Sequence, residues 1–217
     1  MLELFSIGLF GWLGDIMQNL LTTMYNFTSS YGLSIVLLTL FIRIALMPLV
    51  IKQTRSMKKM QKLQPMMEEI KEKYDDQQKV QQETMKLYQE HKVNPAAGCL
   101  PLLIQMPILI MLFRALRGWE ELAGQPFLII PDLSQPYIPL VILTGLVMFG
   151  QSMLTQKMSG SGSNNKMTMF MPLLIVFIGF NLPAGVLLYW FTSNLFMTGQ
   201  QYFIYNESDV ELKEESS

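Results

Sequence analysis

The chain has 217 residues, of which 50% are hydrophobic and 15% are charged, and its formal net charge is −1. With a positive mean hydropathy, this composition indicates an integral membrane protein, and the net charge gives no reason to expect a nucleic-acid sequence as partner. The only cysteine, Cys99, excludes an internal disulfide and a cysteine-based metal cluster.

The N-terminal segment, residues 1–30, is predicted to lie on the outer side of the membrane. Apolar residues recur at helical spacing within residues 9–25, with polar residues between them, which predicts an amphipathic helix at the membrane interface. No Lys or Arg precedes Arg43, so this segment lacks the basic region of a signal peptide. A removed signal sequence upstream of Met1 is therefore a hypothesis.

Residues 31–51 form the first predicted span, and Arg43 is their only charge. About 20 residues of helix cross a hydrocarbon core of about 30 Å. Arg43 lies nine residues before Lys52, roughly 13 Å along the helix axis. An arginine at that depth costs about 2.5–3.5 kcal/mol, so it needs a partner, a bundle interior or a water-filled cavity. Pro48 is expected to kink the same helix.

Residues 52–93 hold ten of the sixteen Lys and Arg residues, which places them in the cytoplasm by the positive-inside rule. Two helical stretches separated by Asp75 and Asp76 predict a helical hairpin, with Pro65 in the first turn of the first arm. Two apolar stripes either pack together or grip client chains, since methionine adapts to varied partners. The stripes are Met66, Met67, Ile70 and Tyr74 on the first arm, and Val80, Leu87 and Tyr88 on the second.

Four further apolar stretches predict four more crossings, near residues 98–116, 137–156, 167–181 and 184–205. The last two share one uncharged run, which is broken near Pro183. Residues 120–135 are expected to form an external loop, and a Gly-Ser repeat near residue 160 a flexible connection. The predicted fold class is an all-α membrane protein. It has five transmembrane helices, an N-terminal amphipathic interfacial helix, a cytoplasmic helical hairpin and an acidic cytoplasmic tail at residues 207–217.

Polar residues recur inside these predicted spans, but none of them is acidic. Without a carboxylate partner, Arg43 needs water, amide oxygens or backbone carbonyls, which predicts a hydrated cavity open to the cytoplasm. For any single glutamine or serine, ordinary hydrogen bonding between helices is the alternative. The polar and indole side chains in the spans are Thr39, Gln105, Gln151, Ser152, Thr155, Gln156, Trp190, Thr192, Ser193 and Asn194.

Two motifs, Asn94–Ile108 (NPAAGCLPLLIQMPI) and Leu182–Trp190 (LPAGVLLYW), together with the order of elements, resemble the YidC family of membrane protein insertases. The resemblance covers nearly the whole chain and is closest to the short form found in Gram-positive bacteria. It implies a five-span bundle with a hydrophilic groove that is open to the cytoplasm and lipid and sealed from the outside.

The resemblance also implies which residues line that groove. The family's groove arginine falls on Arg43, its aromatic on Trp190, and its glutamine on Gln151, with Gln156 as the alternative. The other polar residues expected to line the groove are Gln105, Ser193 and Asn194.

The implied function is to guide hydrophobic segments of newly made proteins from the cytoplasm into the bilayer of the bacterial plasma membrane. The chain contains no phosphate-binding glycine loop, so nucleotide hydrolysis is not expected. An insertase of this kind is also expected to need no catalytic residue, metal or cofactor. The expected partners are nascent membrane proteins and lipid, with the Sec translocon and the ribosome as further candidates.

Two other classes of function are weighed against this one. An intramembrane protease is disfavoured, because the only histidine is His91 in the hairpin and the spans contain no carboxylate. A small anion channel or transporter that uses Arg43 as an ion site remains the alternative.

Overall fold

The computed structural model describes residues 2–94, 105–112, 120–159 and 166–214. Most of the predicted second span, the Gly-Ser repeat and the first half of the Asn94–Ile108 motif lie outside the described residues.

The described residues are helical, apart from short connections and one antiparallel bridge between Phe127 and Ile130. The all-α class is therefore confirmed for this part of the chain. The helices are α1 (Leu2–Thr28), α2 (Tyr31–Ala45), α3 (Met47–Lys73), α4 (Gln77–Glu90), α5 (105–112), α6 (Ile138–Ser159), α7 (Lys166–Gly179) and α8 (Ala184–Glu214), with a 3₁₀ turn at Glu120–Leu122.

Helix α1 contains the predicted N-terminal helix and extends it in both directions. The helix axis turns by 120° between α1 and α2. Ser30 caps α2, because its side chain accepts a hydrogen bond from the Leu33 amide. On α1, Met17 and Leu21 are buried, whereas Trp12 and Phe27 are exposed.

The helix is interrupted at Leu46, between α2 and α3, within the predicted first span. Pro48 lies in the first turn of α3, as expected of a residue that cannot donate a backbone hydrogen bond. The placement of Pro65 in a first turn was wrong, because α3 runs through it from Met47. Strong helix formers such as Lys, Gln, Met and Leu precede Pro65, and they outweigh one missing hydrogen bond.

Helices α3 and α4 form the predicted hairpin, and Asp76 caps α4 by accepting from the Gln78 amide at 3.0 Å. The two arms pack through one apolar cluster, which includes four of the seven predicted stripe residues, so the packing interpretation holds for those four: Met67, Ile70, Leu87 and Tyr88. Its buried members are Leu63, Leu87, Tyr88 and Val93, with Met60, Met67 and Ile70 partly buried against them. Met66 and Met85 stay exposed.

The main bundle is built around α8, which contacts both α2 and α6. Helix α1 packs on α2, α7 packs on α6, and the first part of α3 packs on α6 and α8. Small residues let α6 and α7 approach closely: a Cβ on Gly145 would lie 2.3 Å from Cγ2 of Val176.

The 120–137 loop closes one end of this bundle. It caps α8, because the amides of Ala184 and Gly185 donate to the carbonyls of Gln135 (2.9 Å) and Leu133 (2.8 Å). Leu122, Ile130 and Leu133 are buried in the same core as α2 and α8. The loop therefore packs as part of the bundle.

By length and apolarity, one described helix could cross a membrane, over Ile138–Lys157. A second qualifies if the bent pair Gly14–Thr28 and Tyr31–Ala45 is counted as one span. Five crossings stay a prediction.

Candidate functional site

Arg43 lies near the end of α2 and is 6% exposed. Its Nε donates to Ser193 Oγ at 2.8 Å, and its Nη2 donates to the same hydroxyl and to Gln105 Oε1 at 2.9 Å. Its Nη1 points to Met197 Sδ at 3.1 Å. The guanidinium thus joins α2 to α5 and α8.

Every one of these partners is neutral, as the sequence predicted from the absence of acidic residues in the spans. Hydroxyl, amide and thioether acceptors orient the guanidinium fork but do not cancel its charge. A positive charge in a poorly polarisable surrounding acts on other charges more strongly than it would in bulk water. The site is therefore suited to attract an anionic group.

Tyr189 completes the arrangement from behind. Gln105 Nε2 donates to Tyr189 Oη at 3.1 Å, which leaves Gln105 Oε1 to face Arg43. Tyr189, Ser193 and Met197 are four residues apart, so they lie on one face of α8. Sequence reasoning missed Tyr189 and Met197, although this spacing from Ser193 was the signal that could have found them.

The other predicted groove residues are buried or partly buried and lie apart from the Arg43 hydrogen bonds. Asn194 Nδ2 donates to the Trp190 carbonyl of its own helix at 2.6 Å. Trp190 and Gln151 are buried, and Gln156 keeps its Nε2 atom buried without a partner among the described residues. The structure thus brings Gln105 and Ser193 to Arg43, while the contacts described for Arg43 do not include these four residues.

Polarity is distributed asymmetrically along the bundle. Toward the 120–137 loop, the core is mainly apolar and includes Ile35, Leu38, Val141 and Leu187, and the buried hydroxyls of Thr39 and Thr144 bond to their own helices. Beyond Arg43, buried polar side chains replace it: Gln53, Thr54 and Lys58 on α3, Gln151 on α6, and Ser193, Asn194, Gln200 and Gln201 on α8. Sequence reasoning missed the α3 members and the two late glutamines. The arrangement is a polar interior closed at one end by an apolar core.

Comparisons with known proteins point to one family. Residues 23–211 match the family model described as 60Kd inner membrane protein. The chain is 44% identical over 193 residues to a membrane protein insertase YidC of Fusobacterium nucleatum, covering 85% of the chain and 91% of the relative.

Two longer relatives show the same similarity over part of their length. The chain is 42% identical over 197 residues to a membrane protein insertase YidC of Syntrophus aciditrophicus, covering 89% of the chain and 36% of the relative. A solved structure described as an active YidC insertase with the first transmembrane domain resolved matches with a TM-score of 0.68 and 33% identity, over 88% of the chain and 45% of its own. The chain thus spans less than half of these two proteins.

Proposed function

Because the chain belongs to the YidC family of membrane protein insertases, we propose that it guides hydrophobic segments of newly made proteins from the cytoplasm into the bilayer. The observation that carries the proposal is Arg43, a buried charge whose described partners are all neutral. The passage is a hydrated groove centred on this residue, and it needs no nucleotide hydrolysis.

The groove lowers the cost of one step, the movement of a polar flank across the membrane. A client span of about 20 residues gains about 0.3–0.6 kcal/mol per apolar residue on entering lipid, so its insertion is favourable by itself. Its flank must first leave water. The positive charge of Arg43 attracts an acidic flank at a position within the membrane. The membrane potential adds about 2.3 kcal/mol per 100 mV for each negative charge that moves outward.

The proposed topology has five crossings, the N-terminus outside and the C-terminus in the cytoplasm. The faces of α1 support an interfacial position for that helix. Met17 and Leu21 face the bundle, Trp12 and Ile16 form an exposed apolar face, and Asp15 begins an exposed polar one. A helix with one face each for protein, lipid and water suits the plane of the membrane surface.

The anion channel is the less favoured alternative. A channel needs a polar route on both sides of its ion site. The described core between Arg43 and the 120–137 loop is mainly apolar, with Ile35, Leu38 and Leu187 almost fully buried. Its buried hydroxyls, those of Ser34, Thr39 and Thr144, donate to backbone carbonyls four residues earlier in the chain and so offer an ion no continuous polar route. A groove that opens on one side fits insertion better than conduction.

The proposal is tested with a small, freshly synthesised single-span client that carries two aspartates in its translocated flank. Liposomes contain the wild-type chain, Arg43→Ala or Arg43→Lys, and insertion is scored by protection of the flank from added protease. We expect protection with wild type, its loss with Arg43→Ala, and partial recovery with Arg43→Lys, which restores the charge but not the planar fork.

A second client with asparagines in place of the aspartates serves as the control for charge. Equal protection by wild type and Arg43→Ala would contradict the charge mechanism, and no protection by wild type would contradict the insertase function. Chloride flux through the same liposomes without protection of any client would favour the channel instead.

A further inference from the structure

A buried amide without a partner lies on α8, beyond the Arg43 site. Gln200 is 8% exposed, and neither its Nε2 nor its Oε1 has a hydrogen-bond partner among the described residues. Burying an amide is unfavourable unless it is hydrogen-bonded, so folded proteins rarely leave one unpaired. Such an amide is available for a group that comes from outside the chain.

Gln200 faces the same groove as the partners of Arg43. Ser193, Met197 and Gln200 are spaced by four and three residues, which places them on one face of α8. Ser193 and Met197 both contact the guanidinium. Gln200 follows Ser193 by seven residues, roughly 10 Å along the helix. Its amide therefore extends the polar face away from the 120–137 loop.

Two hydrogen bonds set the relative heights of α3, α6 and α8 at this end. Gln61 Nε2 donates to the Lys157 carbonyl at 3.0 Å, and Thr155 Oγ1 donates to Gln201 Oε1 at 3.4 Å. Lys58 precedes Gln61 by about one helical turn, and Thr155 precedes Lys157 by about half a turn. Lys58 is thus within about one turn of the level of Gln201.

Lys58 is itself buried, at 4% exposure. Gln156 adjoins Thr155 and contributes a second buried amide nitrogen that has no partner in the described part of the chain. A lysine that is kept away from water inside a membrane protein is costly and marks a functional position by default. One buried cation and two amides with atoms that have no partner among the described residues therefore lie at about the same level, where the groove begins on the cytoplasmic side of the proposed topology.

We propose that Lys58, Gln156 and Gln200 form a second polar station, which binds the acidic flank of a client before Arg43 does. This inference rests on the proposed insertase function and deepens it. The ammonium group of Lys58 pairs with a client carboxylate, and the two glutamine Nε2 atoms donate to that carboxylate or to client carbonyls. The passage to Arg43 is then a step of roughly 10 Å between two binding positions.

The test uses the full chain in liposomes with the two clients above, one with two aspartates in its flank and one with asparagines. Lys58→Met removes the charge and keeps the length of the side chain. We expect it to slow insertion of the aspartate client about threefold to tenfold and the asparagine client less than about twofold. Lys58→Arg should restore the rate, and Lys59→Met, at an exposed neighbour, should leave it unchanged.

Gln200→Leu separates a role in binding from a role in folding. Because the change removes an unpaired buried amide, the melting temperature in detergent should stay the same or rise, while insertion of both clients slows about threefold or more. A glutamine that only supported the fold would lower the melting temperature and the insertion rate together, which would overturn the assignment.

The outcomes distinguish this inference from the function on which it rests. Normal insertion by both Lys58→Met and Gln200→Leu, with loss in Arg43→Ala, would remove the station and keep the insertase. Equal slowing of the aspartate and asparagine clients by Lys58→Met would also overturn it. Lys58→Gln provides the same comparison if Lys58→Met does not reconstitute, and failure of wild type to insert either client would overturn both proposals.

Discussion

Gly32 controls how closely the 120–137 loop packs on α2, and its replacement by alanine tests that closure. A Cβ on Gly32 would lie 2.0 Å from Cγ and 2.5 Å from Cβ of Phe127. Rotating the ring relieves only the first contact, because the Phe127 Cβ is fixed to the backbone, so the loop itself must move. Overpacking of this kind costs about 1–3 kcal/mol. For a chain of this size that lowers the melting temperature by about 2–10 °C.

The matched control is Gly150→Ala on α6, where a Cβ meets nothing within 4 Å. This change should stabilise the protein by about 0.5–1 kcal/mol through helix propensity alone. Both variants are compared with wild type by thermal unfolding in detergent. A double variant, Gly32→Ala with Phe127→Gly, removes the clashing Cβ. Its loss of stability should be smaller than the sum of the losses in the two single variants. A Gly32→Ala protein as stable as Gly150→Ala would refute the described packing of Phe127.

Three further predictions follow from the site and the hairpin. Ser193→Ala removes the hydroxyl that accepts from two Arg43 nitrogens, and it should slow insertion of the aspartate client about threefold to tenfold, measured by protease protection. Gln105→Leu removes the link between Arg43 and Tyr189, and it should have an effect of similar size; an unchanged rate in both variants would contradict their role in orienting Arg43. Leu87→Ala should destabilise the hairpin by about 2–3 kcal/mol, seen as faster amide exchange in α4, because Leu87 is buried. Met85→Ala, at an exposed neighbour on the same helix, should leave amide exchange in α4 unchanged.

The neutral surroundings of Arg43 could be predicted in part from the sequence. An arginine deep in an apolar run has few acceptable surroundings, and the absence of acidic residues from the spans limited its partners to neutral groups. Gln105 and Ser193 were therefore found by type and depth alone. Gln151, Gln156 and Trp190 were selected through the family resemblance and Asn194 by type and depth, but the contacts described for Arg43 do not include them.

The remaining features depend on tertiary contacts that hydropathy does not encode. Met197 contacts Arg43 through a thioether, which is a weak acceptor that sequence analysis reads as apolar. Lys58 and Gln200 lie outside or near the end of the predicted spans, so their polarity looked like ordinary exposure to water. Both are buried in the fold, where α3 packs on α6 and α8.

The same asymmetry explains why α6 meets an apolar criterion for a span and α8 does not. Only 17% of the apolar segment of α6 is buried, so the helix presents apolar side chains such as Ile142 and Leu146 outward. On α8 the exposed side chains include Leu195 and Phe203, while Ser193, Asn194, Gln200 and Gln201 are buried. Water-soluble bundles show the opposite arrangement, with polar groups outside. From Ser193 onward, α8 is therefore apolar outward and largely polar inward, which is the arrangement expected of a helix between lipid and a polar interior. These buried polar residues account for its low average hydropathy.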